Sequence, residues 1–385
     1  MKKIEWRKGT FENENILVED GTRLYEKYSS LPEQSAGIEN ANITPNSMFK
    51  YGGCIYLMEQ NGELTFCNTW DATGRLSIPK EIIIKGEKHP VTRIGHIDIC
   101  DYEYTDFRGD KRRKPIVTSG VLSVGAFFDS KVTECIFPAS IREIEEIILG
   151  PSGKCNSDII RVLMNKSECK LQEIGFADDG QSELRSIDYN TFGNVYLDMG
   201  TLKLPEGLRQ IGERAFRGNF TSIICPSTLR KIEEYAFYYC SIKGMKLNDG
   251  LEFLGPKFVD LYHFTENLEI PSSIKLVPEL KWGMHERWKL VKKLPILVIH
   301  NNKNDVQIDT TVKKTCVIHY IDAFGKRKKS NWLRNLVYKK KGEEIWDMDD
   351  LNKMFTSVVV IITFFLFMIV VITTIGILNG IGVLE

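Results

Sequence analysis

The residue types best suited to proton transfer in this chain are two adjacent carboxylate pairs, Glu145-Glu146 and Glu233-Glu234. Two carboxylates in one site can split their pKa values and act as acid and base. Neighbours in an extended chain project to opposite faces, so neither pair can hold a proton between its members. Asp178-Asp179-Gly180 and Asn248-Asp249-Gly250 begin like calcium loops, but the remaining loop ligands are missing, which leaves both as turns. The nine cysteines contain no C-x-x-C pair and the six histidines have no ligand spacing, so neither a metal site nor a disulfide framework is expected. Neither a glycine-rich phosphate loop nor a G-x-S-x-G nucleophile turn occurs. The sequence predicts no catalytic residues and no cofactor.

The elements themselves say more. Four segments repeat one pattern: Leu202 to Phe216, Ile223 to Phe237, Met245 to Phe258 and Leu268 to Pro278. Leu208 maps onto Leu229, Leu251 and Ile274, steps of 21, 22 and 23 residues. Ile211 maps onto Ile232, Leu254 and Val277, and Pro205 onto Pro226, Asn248 and Pro271. A fixed period of this size means a solenoid, each repeat one coil stacked on the next. Leu-x-[Leu/Ile/Cys]-Pro reads as a short strand ended by proline, which cannot donate to a ladder. Leu-x-x-Ile-Gly starts a second short segment, and Ala-Phe closes the coil with its ring inward. The expected core columns are Leu208/Leu229/Leu251, Ile211/Ile232/Leu254 and Phe216/Phe237/Phe258.

This LP-x-x-L-x-x-IG-x-x-AF pattern resembles the BspA-like, treponemal-type leucine-rich repeat. The match is closest in Leu204 to Phe216 and Cys225 to Cys240. Weaker copies lie at Val124-Gly125-Ala126-Phe127, at Phe137-Pro138 with Ile141 and Ile144, and at Leu76 to Pro79 with Val91 to Gly95. The resemblance spans residues 51–295. It implies a non-catalytic protein that binds other proteins or host matrix, commonly from a surface or secreted location. The early repeats are irregular and Asn248 replaces a proline, which departs from the family pattern.

Lysine plus arginine and aspartate plus glutamate both number 51. That balance excludes a general nucleic-acid binder, which needs a basic excess. Cys225 and Cys240 sit at repeat core positions, where a free thiol serves as a small hydrophobe.

Near the end, Val358 to Leu378 is a run of 21 almost wholly apolar residues, the length that spans a bilayer core as a helix. The expectation is a single tail anchor over residues 354–385. Arg334, Lys339, Lys340, Lys341 and Lys353 precede the run and no basic residue follows it, which places the solenoid in the cytoplasm. The opening residues show no apolar signal core, in keeping with that side. The cell surface, the usual location in the family, is the alternative. Gly376 and Gly380 form one G-x-x-x-G through which two anchors could pack.

The expected organisation is a leucine-rich repeat solenoid of short parallel strands with few helices. Residues 1–50 form a polar, partly disordered lead. Residues 51–95 form a hairpin cap and first coil, with Asn61-Gly62 predicting a type I′ turn inside Cys54 to Asn68. Residues 96–295 form the solenoid, with 98–114 as an exposed charged loop ending in Lys111 to Lys114. Residues 296–353 form a C-terminal cap and basic juxtamembrane segment. Its Lys326 to Lys329 and Trp332 either meet an anionic leaflet or cap the stack.

The function that follows is a membrane-anchored protein-binding or scaffolding module. Alternatives are a surface adhesin, an enzyme or an enzyme's regulatory subunit with its chemistry in residues 96–200, and a structural envelope protein. Candidate partner-binding residues lie between the inward positions: Lys203, Ile224 and Lys246 on the first strand, and Lys231, Phe253 and Leu276 on the second. The Phe253/Leu276 pair would make an apolar patch.

Overall fold

The computed structural model describes residues 4–5, 28, 30–34, 43–106, 116–148, 169–280, 295–321 and 327–329. Each central coil contains one long and one two-residue strand. The long strands Phe192–Lys203, Phe216–Ile224 and Tyr239–Lys246 form one parallel sheet. The short strands Ser186–Ile187, Gln210–Ile211, Lys231–Ile232 and Phe253–Leu254 form another. The register is the one the repeat demands: Ile187, Ile211, Ile232 and Leu254 pair in sequence, as do Leu202, Ile223 and Met245.

The proline turn explains how one sheet passes to the other. Leu208, Leu229, Leu251 and Ile274 each donate their N–H to the carbonyl three residues back, on Pro205, Pro226, Asn248 and Pro271. Proline fixes φ near the value such a turn needs and ends the preceding strand. Asn248 keeps the turn and adds a second function. Its Nδ2 donates to the Ser227 and Leu229 carbonyls of the coil before, at 2.8 and 3.0 Å. Asn301 makes the same pair of bonds to Ser272 and Ile274.

Parallel strands continue on both sides of this centre. Thr73–Ser77, Lys131–Phe137 and Glu173–Phe176 form a sheet before it, and Leu268–Ile270, Ile296–Ile299 and Val317–Ile321 one after it. Helix is scarce among the described residues, with one short α-helix at Thr310–Thr315.

The core is a file of aromatic rings running along the stack. Tyr56, Phe66, Phe127, Phe137, Phe192, Phe216 and Phe237 are fully buried, and successive ring centroids lie 5.0 to 6.3 Å apart. The file starts well before the regular repeats. Its last expected member is displaced. Counting from the residue after Ile211, Ile232 and Leu254, the fourth position on is Phe216, Phe237 and then Val259, and Phe237 bridges Val259. Phe258 is also buried, but it takes the alanine place of Ala215 and Ala236.

Three further expectations change. The hairpin of Cys54–Met58 with Leu64–Asn68 forms, but not through a type I′ turn. Gly62 donates to the Glu59 carbonyl and alone takes positive φ, which is a type I turn closed by a left-handed glycine. Two-residue turns with both φ positive occur instead at Gly52-Gly53, between Met48–Tyr51 and Cys54–Met58, and at Lys85-Gly86, between Glu81–Ile84 and Glu87–Ile94. The charged segment from residue 98 is not a loop at first: His96–Asp106 is a strand, paired antiparallel with Ile116–Gly125. Lys111 to Lys114 lie outside the described residues. Parts of the polar lead are packed, since Tyr28, Ile43 and Phe49 are buried and Tyr28 donates to the Asp98 carbonyl at 2.7 Å.

Candidate functional site

After each of the four short strands the chain turns a sharp corner. Asn190, Arg214, Tyr235 and Lys257 occupy it in four successive coils, with φ of 58°, 54°, 57° and 52°. This left-handed region suits glycine or asparagine, and other side chains pay a local cost there. Only Asn190 is of the favoured type. The other corners carry long or aromatic side chains, and these meet a set of exposed tyrosines.

Arg214 lies over the Tyr235 ring at 5.8 Å, and Tyr235 meets Tyr238 edge-on at 4.8 Å. Tyr238 meets Tyr239 at 4.8 Å. Tyr239 pairs across the sheet with Arg217, which lies over the Tyr196 ring at 5.9 Å. A bond with Tyr189 holds the Arg214 guanidinium firmly charged, and the Glu279 carboxylate does the same for Lys257, 3.3 Å away. Tyr189, Tyr196 and Tyr239 are each about half exposed, at 46, 51 and 47%. The result is a ridge of rings and cations along one corner of the solenoid. Tyrosine and arginine dominate the energetics of protein interfaces because each combines apolar area with a polar handle. Sequence reasoning missed this ridge, although Tyr235, Tyr238 and Tyr239 within six residues of Glu234 are a visible signal.

The six residues singled out from sequence fall on three sheets. Lys203, Ile224 and Lys246 are successive rungs of the long-strand sheet; the two lysines are exposed and Ile224 is half-buried. Lys231 and Phe253 are rungs of the short-strand sheet, with Lys231 Nζ 5.3 Å above the Phe253 ring. Leu276 belongs to the next short strand, Leu276–Val277, which pairs with Gln307–Ile308. Phe253 is 43% and Leu276 54% exposed, so the described chain after residue 295 does not cover them.

The adjacent carboxylates separate as the extended-chain argument requires. Glu145 accepts from His96 at 2.5 Å and from Arg93. Glu146 turns inward, where its Oε2 accepts from the Nδ2 groups of Asn190 and Asn194 at 3.2 and 3.3 Å. Burial pushes the Glu146 carboxyl up to about 7, against the opposing effect of the Asn190 bond. No cluster of three or more histidine, cysteine, aspartate or glutamate side chains with metal-binding geometry occurs among the described residues. Cys225 is buried in the core, which pushes its thiol up to about 12.

The apolar run Val358–Leu378, with Gly376 and Gly380, and Trp332 lie outside the described residues, whereas Arg327–Lys329 of the basic segment is a strand paired antiparallel with Val317–Ile321. Among those described, no helix is long and apolar enough to cross a membrane.

No curated protein matches the chain. Solved structures with some likeness include a leucine-rich repeat protein from Bacteroides ovatus, at 19% identity over 69% of this chain, with a TM-score of 0.28. The chain spans 66% of that protein's length. A leucine-rich cell surface protein from Faecalibacterium prausnitzii is 12% identical over 78% of this chain and all of its own, with a TM-score of 0.24. The pneumococcal vaccine antigen PcpA is 13% identical over 71% of this chain and 97% of its own, also at 0.24. Scores this low establish no common function. The sequence profile of the BspA type leucine-rich repeat region does match, in six copies over residues 185–280, the stretch where the coils are most regular. Residues 185–280 of this chain are thus similar to the BspA type leucine-rich repeat region.

Proposed function

We propose that the chain is a non-catalytic protein-binding module, held at a membrane by Val358–Leu378, and that it docks its partner on the tyrosine–arginine corner. The observation that carries this reading is the ridge itself: rings and guanidiniums held in fixed contact on a stacked scaffold. Side chains already ordered lose little entropy on binding, so their contact area converts efficiently into affinity. Strained corner conformations at Arg214, Tyr235 and Lys257 add to the reading, because such conformations concentrate at functional positions. Phe253 and Leu276, on two short strands, are a second exposed apolar pair.

The membrane part rests on the 21-residue apolar run alone. Its flanking charge favours a cytoplasmic solenoid, with cell-surface display as the other orientation. A photo-crosslinking residue placed in turn at Tyr239, Phe253 and Glu173 in living cells tests the docking surface. One discrete adduct from position 239 and none from 173 supports it. Adducts from 253 alone move the site to the apolar pair, and sensitivity of the solenoid to external protease in intact cells decides its side.

A further inference from the structure

We infer that two copies of this chain pair with each other, edge strand to edge strand, through an arm set on the solenoid. The arm is the hairpin of His96–Asp106 and Ile116–Gly125, inserted between Glu87–Ile94 and Lys131–Phe137. Among the described elements its second strand packs on its first, and the first packs on Ile4–Glu5 and Leu64–Asn68. The three-stranded sheet therefore ends at Ile116–Gly125. The base of that strand is anchored: Ser123 and Val124 are buried, and Gly125 donates its N–H to the Ile148 carbonyl at 3.1 Å. The rest of the edge lacks the usual protections of an unpaired strand. Ile116–Gly125 is ten residues long and contains no charged residue and no proline. The opposite edge, Ile4–Glu5, is two residues long and carries a carboxylate, and His96–Asp106 between them holds four acidic residues. A long uncharged edge is a template for another strand.

Gly125 donates away from its hairpin partner, so Val117, Ser119 and Val121 also turn their peptide groups to the side with no described strand. The one irregularity, between Leu122 and Ser123, places its extra residue on the other strand and leaves this alternation intact. A second copy meets these groups antiparallel, about a two-fold axis at Ser119. Val117 then stands opposite the second copy's Val121, Ile116 opposite its Leu122, Thr118 opposite its Gly120, and Ser119 opposite its own equivalent. Each of the outward-facing pairs exchanges both of its backbone hydrogen bonds. No charge meets a charge at any position, and apolar residues stand opposite each other at both ends, a favourable cross-strand combination. This self-match selects a second copy as the occupant. At 3.4 Å per residue the two arm bases lie about 40 Å apart, so the solenoids sit at opposite ends of the shared sheet. The contact is isologous and uses the free edge of both copies, so assembly closes at a dimer.

The test uses the full chain in detergent, with its mass followed by sedimentation against concentration. The expected result is a reversible dimer. Val117→Lys with Val121→Lys sets two cations opposite each other at each end and should weaken dimerisation at least tenfold. Val117→Lys with Val121→Glu sets unlike charges opposite each other in the same register and should restore it. Ser119→Cys should give a disulfide-linked dimer on mild oxidation, because the Cα atoms of such a pair lie about 5.5 Å apart, within bridging range. Ile116→Cys should not, because its two equivalents lie about 20 Å apart. A monomeric wild-type chain, equal dimerisation of the two charge variants, or equal crosslinking from positions 116 and 119 overturns the inference. So does a dimer that survives Val117→Lys with Val121→Lys but is lost in Gly376→Ile with Gly380→Ile, which would place the contact in the apolar tail.

Discussion

Replacing Glu146 by glutamine should stabilise the solenoid at neutral and alkaline pH and do little in acid. The carboxyl is buried between coils, with two asparagine amides on one oxygen. Those bonds do not offset its desolvation, and the group's pKa rises from 4.5 to about 7. The sign follows from proton counting. Between pH 4.5 and about 7 the folded protein keeps a proton that the unfolded chain has released. Stability therefore falls as pH rises across that window and levels off above it. At about 1.4 kcal/mol per pH unit the penalty has a ceiling of roughly 3 kcal/mol, and partial solvation brings it to about 2. Glutamine keeps a carbonyl for both asparagines and carries no charge at any pH. The assay is urea unfolding of both proteins from pH 5 to 8, each chain ending at Lys353. The stability difference should grow with pH by about 2 kcal/mol in favour of the variant. A difference that is constant with pH, or that grows in favour of the glutamate, refutes the assignment of a buried, proton-holding carboxyl.

Other outcomes follow from the same packing. Phe237→Ala removes a fully buried ring stacked on Phe216 at 5.0 Å and should cost about 3–5 kcal/mol, more than Val259→Ala by about 2 kcal/mol; equal costs in thermal unfolding would mean the register is misplaced. Gly218 has φ of 143°, and a Cβ there would lie 2.0 Å from the Leu197 carbonyl oxygen, so Gly218→Ala should destabilise by at least about 3 kcal/mol or prevent folding. Asn248→Ala removes one of two donors to the Ser227 and Leu229 carbonyls, which keep Arg230 Nη1 at 2.9 and 3.1 Å, and should cost about 0.5–1 kcal/mol, measured by denaturant midpoint. The full chain should resist alkaline extraction from membranes while the chain ending at Lys353 is soluble, and recovery of both in the soluble fraction would remove the anchor.

The regular coils were legible because their inward residues recur in type as well as place. Leu208, Leu229 and Leu251 and the turns at Pro205 and Pro226 carry period and boundary together. Phe258 misled because matching ring to ring ignored the count: Gly255-Pro256-Lys257 brings Phe258 round one position early, where the fold wants a small residue and accepts a large one. The binding corner was not legible by the same logic. What repeats at Asn190, Arg214, Tyr235 and Lys257 is a backbone angle, and four dissimilar side chains share it. The upstream coils were obscured by inserted hairpins. His96–Asp106 reads as a charged loop because its composition is polar, yet its backbone is satisfied by the antiparallel partner Ile116–Gly125. Turn type at Asn61-Gly62 depended on loop length, which the dipeptide does not reveal.

The proposal that the tyrosine–arginine corner is a protein-docking surface is tested most directly by one variant, Arg214→Ala with Tyr235→Ala. The partner crosslinked at position 239 is titrated against the wild-type chain and the variant, with thermal unfolding of both measured alongside. Both side chains are outside the core, so the melting temperature should stay within about 2 °C while affinity falls at least tenfold. Unchanged affinity at an unchanged melting temperature would contradict the docking surface.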